Sequence, residues 1–146
     1  MQLLRNGPGI YTLVLFLPQP SRIAVGSLGA IDFAGGFYSY TGSAMGPGGL
    51  KRVERHIQVL EGTKKTRRWH IDYLLPHTSL LEAFTTRTTR DQECSIAKAI
   101  GKKLQAVPRF GCSDCRCSSH LHFASERQKM LDAVAAAHSE ALQTVA

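Results

Sequence analysis

The amino-acid sequence predicts an α/β fold of the α+β kind: a small, mainly antiparallel sheet flanked by helices, with a C-terminal helix. Three observations carry this. Short β-rich runs such as Tyr11 to Leu17 are cut off by Pro18 and Pro20, which suit a turn and not a central strand. A run at helical spacing follows, with Leu50, Val53, Ile57 and Leu60 on one stripe. The chain then closes on an Ala-rich stretch reaching about Val145. Its 146 residues suit one domain, and 43% apolar residues exclude a chain disordered as a whole. No apolar run approaches the roughly 18 residues needed to span a membrane. The N-terminus, with Arg5 and then Pro8-Gly9, does not read as a signal peptide, so a cytoplasmic protein without membrane contact is expected.

Taken in order, residues 1–8 are a lead-in. Tyr11 to Leu17 is the first strand, Arg22 to Val25 a short partner, and Phe37 to Thr41 a third strand with one buried face. These three are expected to form an antiparallel meander, with Asp32 to Gly36 as loop. The Gly-rich stretch Gly42 to Gly49 connects to a helix from about Gly49 to Leu60, stopped at Gly62. Arg52 and His56, four residues apart, share a face away from the apolar stripe. They are either a functional pair or ordinary exposed helix residues. Trp69 to Leu75, ended by Pro76, reads as a short strand or a tight helical turn. If it is extended, His70 and Asp72 face one way; they can equally serve to orient the segment.

Ser79 to Thr86 alternates as a further strand. Thr89-Arg90-Asp91-Gln92 resembles a capping box opening a helix to about Leu104. On that helix Glu93 shares a stripe with Ile96, Ala97, Ile100 and Leu104. A carboxylate there is either paired or cation-binding, or it is a favourable charge at a helix N-terminus. Pro108 to Phe123 reads as a compact loop. Ser125-Glu126-Arg127-Gln128 is a second capping box, opening a C-terminal helix with a weak stripe of Met130, Val134, Ala137, Ala141 and Val145 that docks loosely or mediates association. The expected organisation is a main domain over residues 1–124 and a helical tail over 125–146.

The net charge of +7 is concentrated. Lys51, Arg52, Arg55, Lys64, Lys65, Arg67 and Arg68 face only Glu54 and Glu61 in the same segment, a local field that attracts phosphates or else a solvated helix face and loop. Cysteines stand at 94, 112, 115 and 117. Without a secretion signal, reduced thiols are expected. Cys112 and Cys115 have zinc-like spacing, but no second such pair exists. The Cys/His loop is therefore either a zinc site or a shaped loop supporting another site, and zinc is not expected.

Several motifs in this order resemble the GIY-YIG nuclease superfamily: Gly9-Ile10-Tyr11, Tyr40-Thr41-Gly42 with Thr in its middle, and Arg52-Val53-Glu54-Arg55-His56. Trp69-His70-Ile71-Asp72-Tyr73, Glu93-Cys94 and the run from Ser113 through Leu121 look like signatures of a small DUF123-like subfamily of uncharacterised bacterial and archaeal proteins, some fused to an endonuclease III-like DNA glycosylase. The resemblance spans roughly Gly9 to Phe123. It implies metal-dependent phosphodiester cleavage in structured or damaged DNA. Tyr11 would be the activating or water-positioning phenol, with Tyr40 assisting. Arg52 would hold the scissile phosphate, and His56 would support the phosphate or a proton transfer. Glu93 would bind Mg²⁺ or Mn²⁺. Lys51, Arg55, Lys64, Lys65, Arg67 and Arg68 would contact nucleic acid, most naturally DNA. His70, Asp72, Asp114, Cys115, Cys117 and His120 form a second tier of candidates. No match stands for the asparagine that often follows the metal carboxylate, and the Cys/His loop is not general to the superfamily. The alternatives are a non-catalytic nucleic-acid-binding module and a zinc-stabilised interaction domain.

Overall fold

The structure, a computed structural model, describes residues 7–46, 48–111 and 118–145, and of 142–145 the backbone alone. Strand β1 (Gly9–Leu17) is the hub, because alternate side chains on it feed two cores. Tyr11, Leu13, Leu15 and Leu17 enter one, while Ile10 and Val14 enter the other. A strand covered on both faces loses its polar alternation, which is why this run is nearly all apolar.

The short strands β2 (Ser21–Ala24) and β3 (Ala30–Phe33) follow, then β4 (Gly36–Ala44), β5 (Ser79–Arg87), β6 (Gln105–Ala106) and β7 (Leu121–Ala124). The main sheet is five-stranded and antiparallel, in the order β5-β1-β4-β7-β6. This differs from the expected meander. β2 leaves the main sheet and pairs only with β3, in a separate two-stranded ribbon. Both edges of β1 are taken by long partners, β4 and β5. The turn at Gly26–Leu28 meanwhile folds β2 back onto the residues expected to be loop. The ribbon still contributes Ile23, Val25 and Phe33 to the first core.

Helix α1 (Arg52–Glu61) is entered through a 3-10 turn at Gly49–Lys51 and ended by Gly62 at φ 86°. It buries Val53, as its stripe predicts, while Ile57 and Leu60 of that stripe are partly buried; His56 and Val59, outside the stripe, are buried as well. The undecided stretch after Trp69 is helical: α2 (His70–Leu74), whose third residue Asp72 turns back to accept the N–H of Trp69. Helix α3 (Glu93–Gly101) is shorter than expected, and the predicted box at Thr89–Gln92 does not form. Asp91 Oδ1 accepts the Glu93 N–H, and Thr88 accepts that of Arg90.

Helix α4 (Arg127–Val145) seals the second core: Met130, Ala133, Val134, Ala137 and Ala141 pack there with Ile10, Val14, Ile96 and Ile100. The expectation of a loosely docked helix is thereby corrected. Small residues let the helix lie close to the sheet, so a weak apolar stripe suffices. His138 of α4 lies within this core. Its Nε2 meets Thr12 Oγ1 at 2.8 Å and its Nδ1 meets Thr86 Oγ1 at 2.8 Å, while Thr12 and Thr41 bond each other at 2.9 Å. The end of the predicted compact loop is β7, paired with β4. Residues 112–117 of that loop lie outside the described residues. Among the described residues no helix is long and apolar enough to cross a membrane.

Candidate functional site

Tyr11 and Gly42 are direct cross-strand partners on β1 and β4. The Tyr11 ring lies across Gly42, where a Cβ would stand 2.3 Å from the phenolic oxygen. The glycine of the Tyr40-Thr41-Gly42 motif therefore exists to let the phenol lie flat on the neighbouring strand. Gly9 serves a similar close approach, since a Cβ there would meet the Thr86 carbonyl at 2.6 Å.

The Tyr11 hydroxyl lies 2.7 Å from His56 Nε2, and both residues are buried. Burial raises the Tyr11 phenol well above its ordinary value; Tyr40 and Glu93 add to the rise, while Arg52 and Arg55 oppose it. Burial lowers His56 to about 3; Arg55 and Arg52 act in the same direction, with Asp72 opposing. At neutral pH the pair is thus a protonated phenol against a neutral imidazole. Among the described residues His56 Nδ1 has no hydrogen-bond partner. If the phenol donates to Nε2, the ring hydrogen sits on that unpartnered Nδ1, and leaving it so costs about 1–3 kcal/mol.

A cleft of about 370 Å³ opens over Tyr11, with Tyr40, Arg52, Arg68, Trp69, His70, Asp91, Glu93, Cys94 and His120 among its walls. Arg52, the first residue of α1, is aimed by the Ser43 carbonyl, which accepts from Nη1 at 2.7 Å. Tyr40 packs edge-on to His56 and Phe110. Glu93 projects from the first turn of α3, with His120 Nδ1 3.4 Å from its Oε2. His70 Nδ1 accepts the Gly111 N–H at 2.8 Å, which leaves Nε2 as the protonated nitrogen; burial lowers the His70 pKa.

Asp72 does not reach the cleft. It is fully buried, paired bidentately to Arg55 at 3.0 Å, and it also accepts the N–H groups of Arg68 and Trp69. Burial alone would raise its pKa, but the Arg55 hydrogen bonds and the two backbone donors bring it below the usual carboxylate value. Asp72 and Arg55 thus build the wall behind the cleft.

The structure therefore gathers Tyr11, Tyr40, Arg52, Glu93, His70, His120 and Arg68 around one cleft, with His56 directly behind Tyr11. Lys64, Lys65 and Arg67 stand exposed on the segment leading into Arg68. Lys51 faces a separate groove beside Gly48 and Gly49. Asp114, Cys115 and Cys117 lie outside the described residues. Cys94 is disulfide-bonded, so the expectation of reduced thiols does not hold for Cys94.

Three wall residues, Asp91, Trp69 and Cys94, escaped the sequence reading as site residues. Asp91 was read only as part of a cap; its position two residues before Glu93 was the available signal. Trp69 was noted only as part of a motif, although its place at the end of a basic run hinted at a cation-bearing ring. Among the described residues, no group of three or more His, Cys, Asp or Glu side chains is arranged to hold a metal ion. The oxygen donors lining the cleft, Glu93 and Asp91, fit a hard cation that keeps water and takes further oxygens from a ligand.

No curated protein and no solved structure matches the chain. A family model matches residues 10–143, which takes in all but the ends of β1 and α4 and every residue of the cleft. The chain belongs to the family described as Domain of unknown function DUF123.

Proposed function

We propose that this protein is a metal-dependent endonuclease of the GIY-YIG type that cuts phosphodiester bonds in structured or damaged DNA, a role suited to DNA repair. The observation that carries the proposal is the buried Tyr11–His56 hydrogen bond of 2.7 Å at the floor of a cleft that also holds Arg52 and Glu93. A phenol that cannot ionise by itself, bonded to a neutral imidazole, is built to pass a proton on. Tyr11 accepts a proton from the attacking water as its own proton moves to His56 Nε2, so no isolated phenolate forms in the buried site. Imidazolium is disfavoured there by burial, so the proton returns readily once the phosphate has been cut.

Arg52 supplies the positive charge for the developing phosphorane oxygens, pre-aimed by the Ser43 carbonyl. Glu93, with Asp91 beside it, would hold Mg²⁺ or Mn²⁺. Bound there, the ion would supply Lewis-acid stabilisation of phosphate charge. Tyr40 packs against His56 and keeps its ring upright under Tyr11. The exposed run of Lys64, Lys65, Arg67 and Arg68 supports a partner with a phosphate backbone, since it adds positive charge at the mouth of the cleft.

The test is cleavage of branched, abasic and single-stranded DNA with Mg²⁺ or Mn²⁺, against EDTA controls. Glu93→Gln and Tyr11→Phe should lose cleavage by orders of magnitude and keep binding. Arg52→Ala should lose about 10²–10³-fold, the range for removing one pre-aimed donor to developing oxyanion charge. Wild-type protein that binds DNA and cuts none of it, with either metal, would make the domain a non-catalytic nucleic-acid-binding module.

A further inference from the structure

Trp69 is a shared plate for three guanidiniums. The Cζ atoms of Arg52, Arg55 and Arg68 lie 5.2, 4.1 and 5.3 Å from its ring centre. The plate is held at its root and on one face: the Trp69 main-chain N–H donates to buried Asp72, and the ring packs against buried His56 at 5.9 Å between centroids. Three like charges around one ring repel one another, and the structure supplies one carboxylate against them. Asp72 neutralises Arg55 through two hydrogen bonds. Arg52 is held by a carbonyl, which orients it without cancelling its charge. Among the described residues no carboxylate pairs with Arg52 or with Arg68. Both of these line the cleft, whereas the neutralised Arg55 does not.

Two uncompensated cations of this kind, on separate elements but stacked on one rigid plate, call for two anions at a fixed separation. A guanidinium forks onto a phosphate through paired N–H donors, and stacking on an aromatic ring leaves that fork free at the ring's edge. Successive phosphates of one nucleic-acid strand are such a pair of anions.

We infer that Arg52 and Arg68, set by Trp69, form a two-phosphate clamp. Arg52 takes the phosphate to be cut and Arg68 takes a neighbouring phosphate of the same strand, so the site selects a ligand with two linked phosphates over one with a single phosphate. The inference rests on the nuclease reading for the identity of its substrate, and it deepens that reading by assigning a strand-positioning role to Arg68 and Trp69. Arg68 is here a binding residue and Trp69 a positioning residue; neither moves a proton.

The chain has one tryptophan, so fluorescence excited at the red edge of tryptophan absorption, where the tyrosines do not absorb, reports on this plate alone. The experiment titrates full-length protein in EDTA with thymidine 5′-monophosphate and with thymidine 3′,5′-bisphosphate. Calorimetry gives the affinities, and Trp69 emission shows where binding occurs. Wild-type protein should bind the bisphosphate at least roughly tenfold more tightly, the least expected of one added charge-assisted contact, with a change in emission. R68A should abolish that preference, so that the two ligands bind with equal affinity; Arg68 is exposed, and a far-ultraviolet spectrum unchanged from wild type checks that the variant is folded. On oligothymidylate, R68A should also reduce the salt slope by about 0.7, the share of one phosphate contact on a single strand. W69F should retain the preference and W69L should lose most of it.

Equal affinities for the two ligands in the wild type, a preference that survives R68A, or bisphosphate binding that leaves Trp69 emission unchanged would each overturn the clamp. DNA cleavage accompanied by any of these results would leave the nuclease reading standing without it. A clear preference removed by R68A, in a protein that cuts no DNA, would do the reverse.

Discussion

His138 offers the sharpest quantitative test of how the sheet behind the cleft is held. Its ring lies between Thr12 of β1 and Thr86 of β5, both nitrogens are used, and it is 5% exposed. That bonding is complete for a neutral imidazole in either arrangement of its one hydrogen. A second ring proton would need one of the threonine oxygens to turn and accept, in a core with no counter-charge. Burial accordingly lowers the His138 pKa from 6.5 to about 4. A histidine whose folded pKa is lowered contributes its full stability above pH 6.5 and loses it as pH falls toward 4, because the unfolded chain then takes up the proton first. At about 1.36 kcal/mol per pH unit, the penalty reaches about 3 kcal/mol by pH 4.

The assay is urea denaturation followed by circular dichroism from pH 7.5 to pH 4, comparing wild type with His138→Gln. Glutamine keeps a donor and an acceptor but does not titrate. The buried His56 and His122, lowered to about 3 and about 4, add acid sensitivity to both proteins and cancel in the comparison, since His138 is bonded to Thr12 and Thr86 and not to either of them. The variant should be less stable at pH 7 by about 1–2 kcal/mol for imperfectly replaced hydrogen bonds. Its stability should then fall about 3 kcal/mol less than that of wild type between pH 7 and pH 4. Parallel pH profiles would refute the reasoning, because they would mean that His138 takes up its proton in the folded state as easily as in the unfolded one.

Three further outcomes are expected. Asp72→Asn should destabilise the fold by about 3–5 kcal/mol in chemical denaturation, since it strands the half-buried Arg55 without its counter-charge; a loss below 1 kcal/mol would mean that Arg55 finds water instead. Gly42→Ala, at a buried position, should push the Tyr11 phenol off His56, lowering cleavage by far more than a Gly→Ala change on the surface, and cleavage at the wild-type rate would show that the Tyr11–His56 contact is dispensable. Charge reversal at Lys64, Lys65, Arg67 and Arg68 together should weaken DNA binding and flatten its salt dependence; an unchanged slope would make this run a solvated loop.

The α+β class, the strands β1, β4 and β5, the stripe of α1 with its stop at Gly62, and the inward face of α3 were all legible in the sequence. Each depends on a local period or on one punctuating residue, and neighbours along the chain enforce both. The cleft residues Tyr11, Tyr40, Arg52 and Glu93 were legible as candidates through motif order. Nothing local says that they meet. That Glu93 reaches Tyr11 from a helix packed mainly on the second core is decided by where α3 begins. The pairing of β2 with β3 also escaped the sequence, because it depends on competition: β1 has two edges, and nine-residue strands from elsewhere in the chain win both.

Other features were decided by tertiary structure alone. His56 reads as a surface partner of Arg52 on a helical wheel, yet it is buried because Tyr11, Tyr40 and Trp69 close over it from three separate segments. Asp72 reads as a possible site carboxylate, but Arg55, seventeen residues away, captures it. His138 reads as one polar residue in an alanine-rich helix and becomes the bonded bridge between threonines of two strands, Thr12 and Thr86. In each case the sequence supplies the chemical group, and the packing of distant segments decides whether it meets water, a partner or a substrate. Periodicity carries no information about contacts between segments far apart in the chain, and those contacts set the charge state and reach of every group in this cleft.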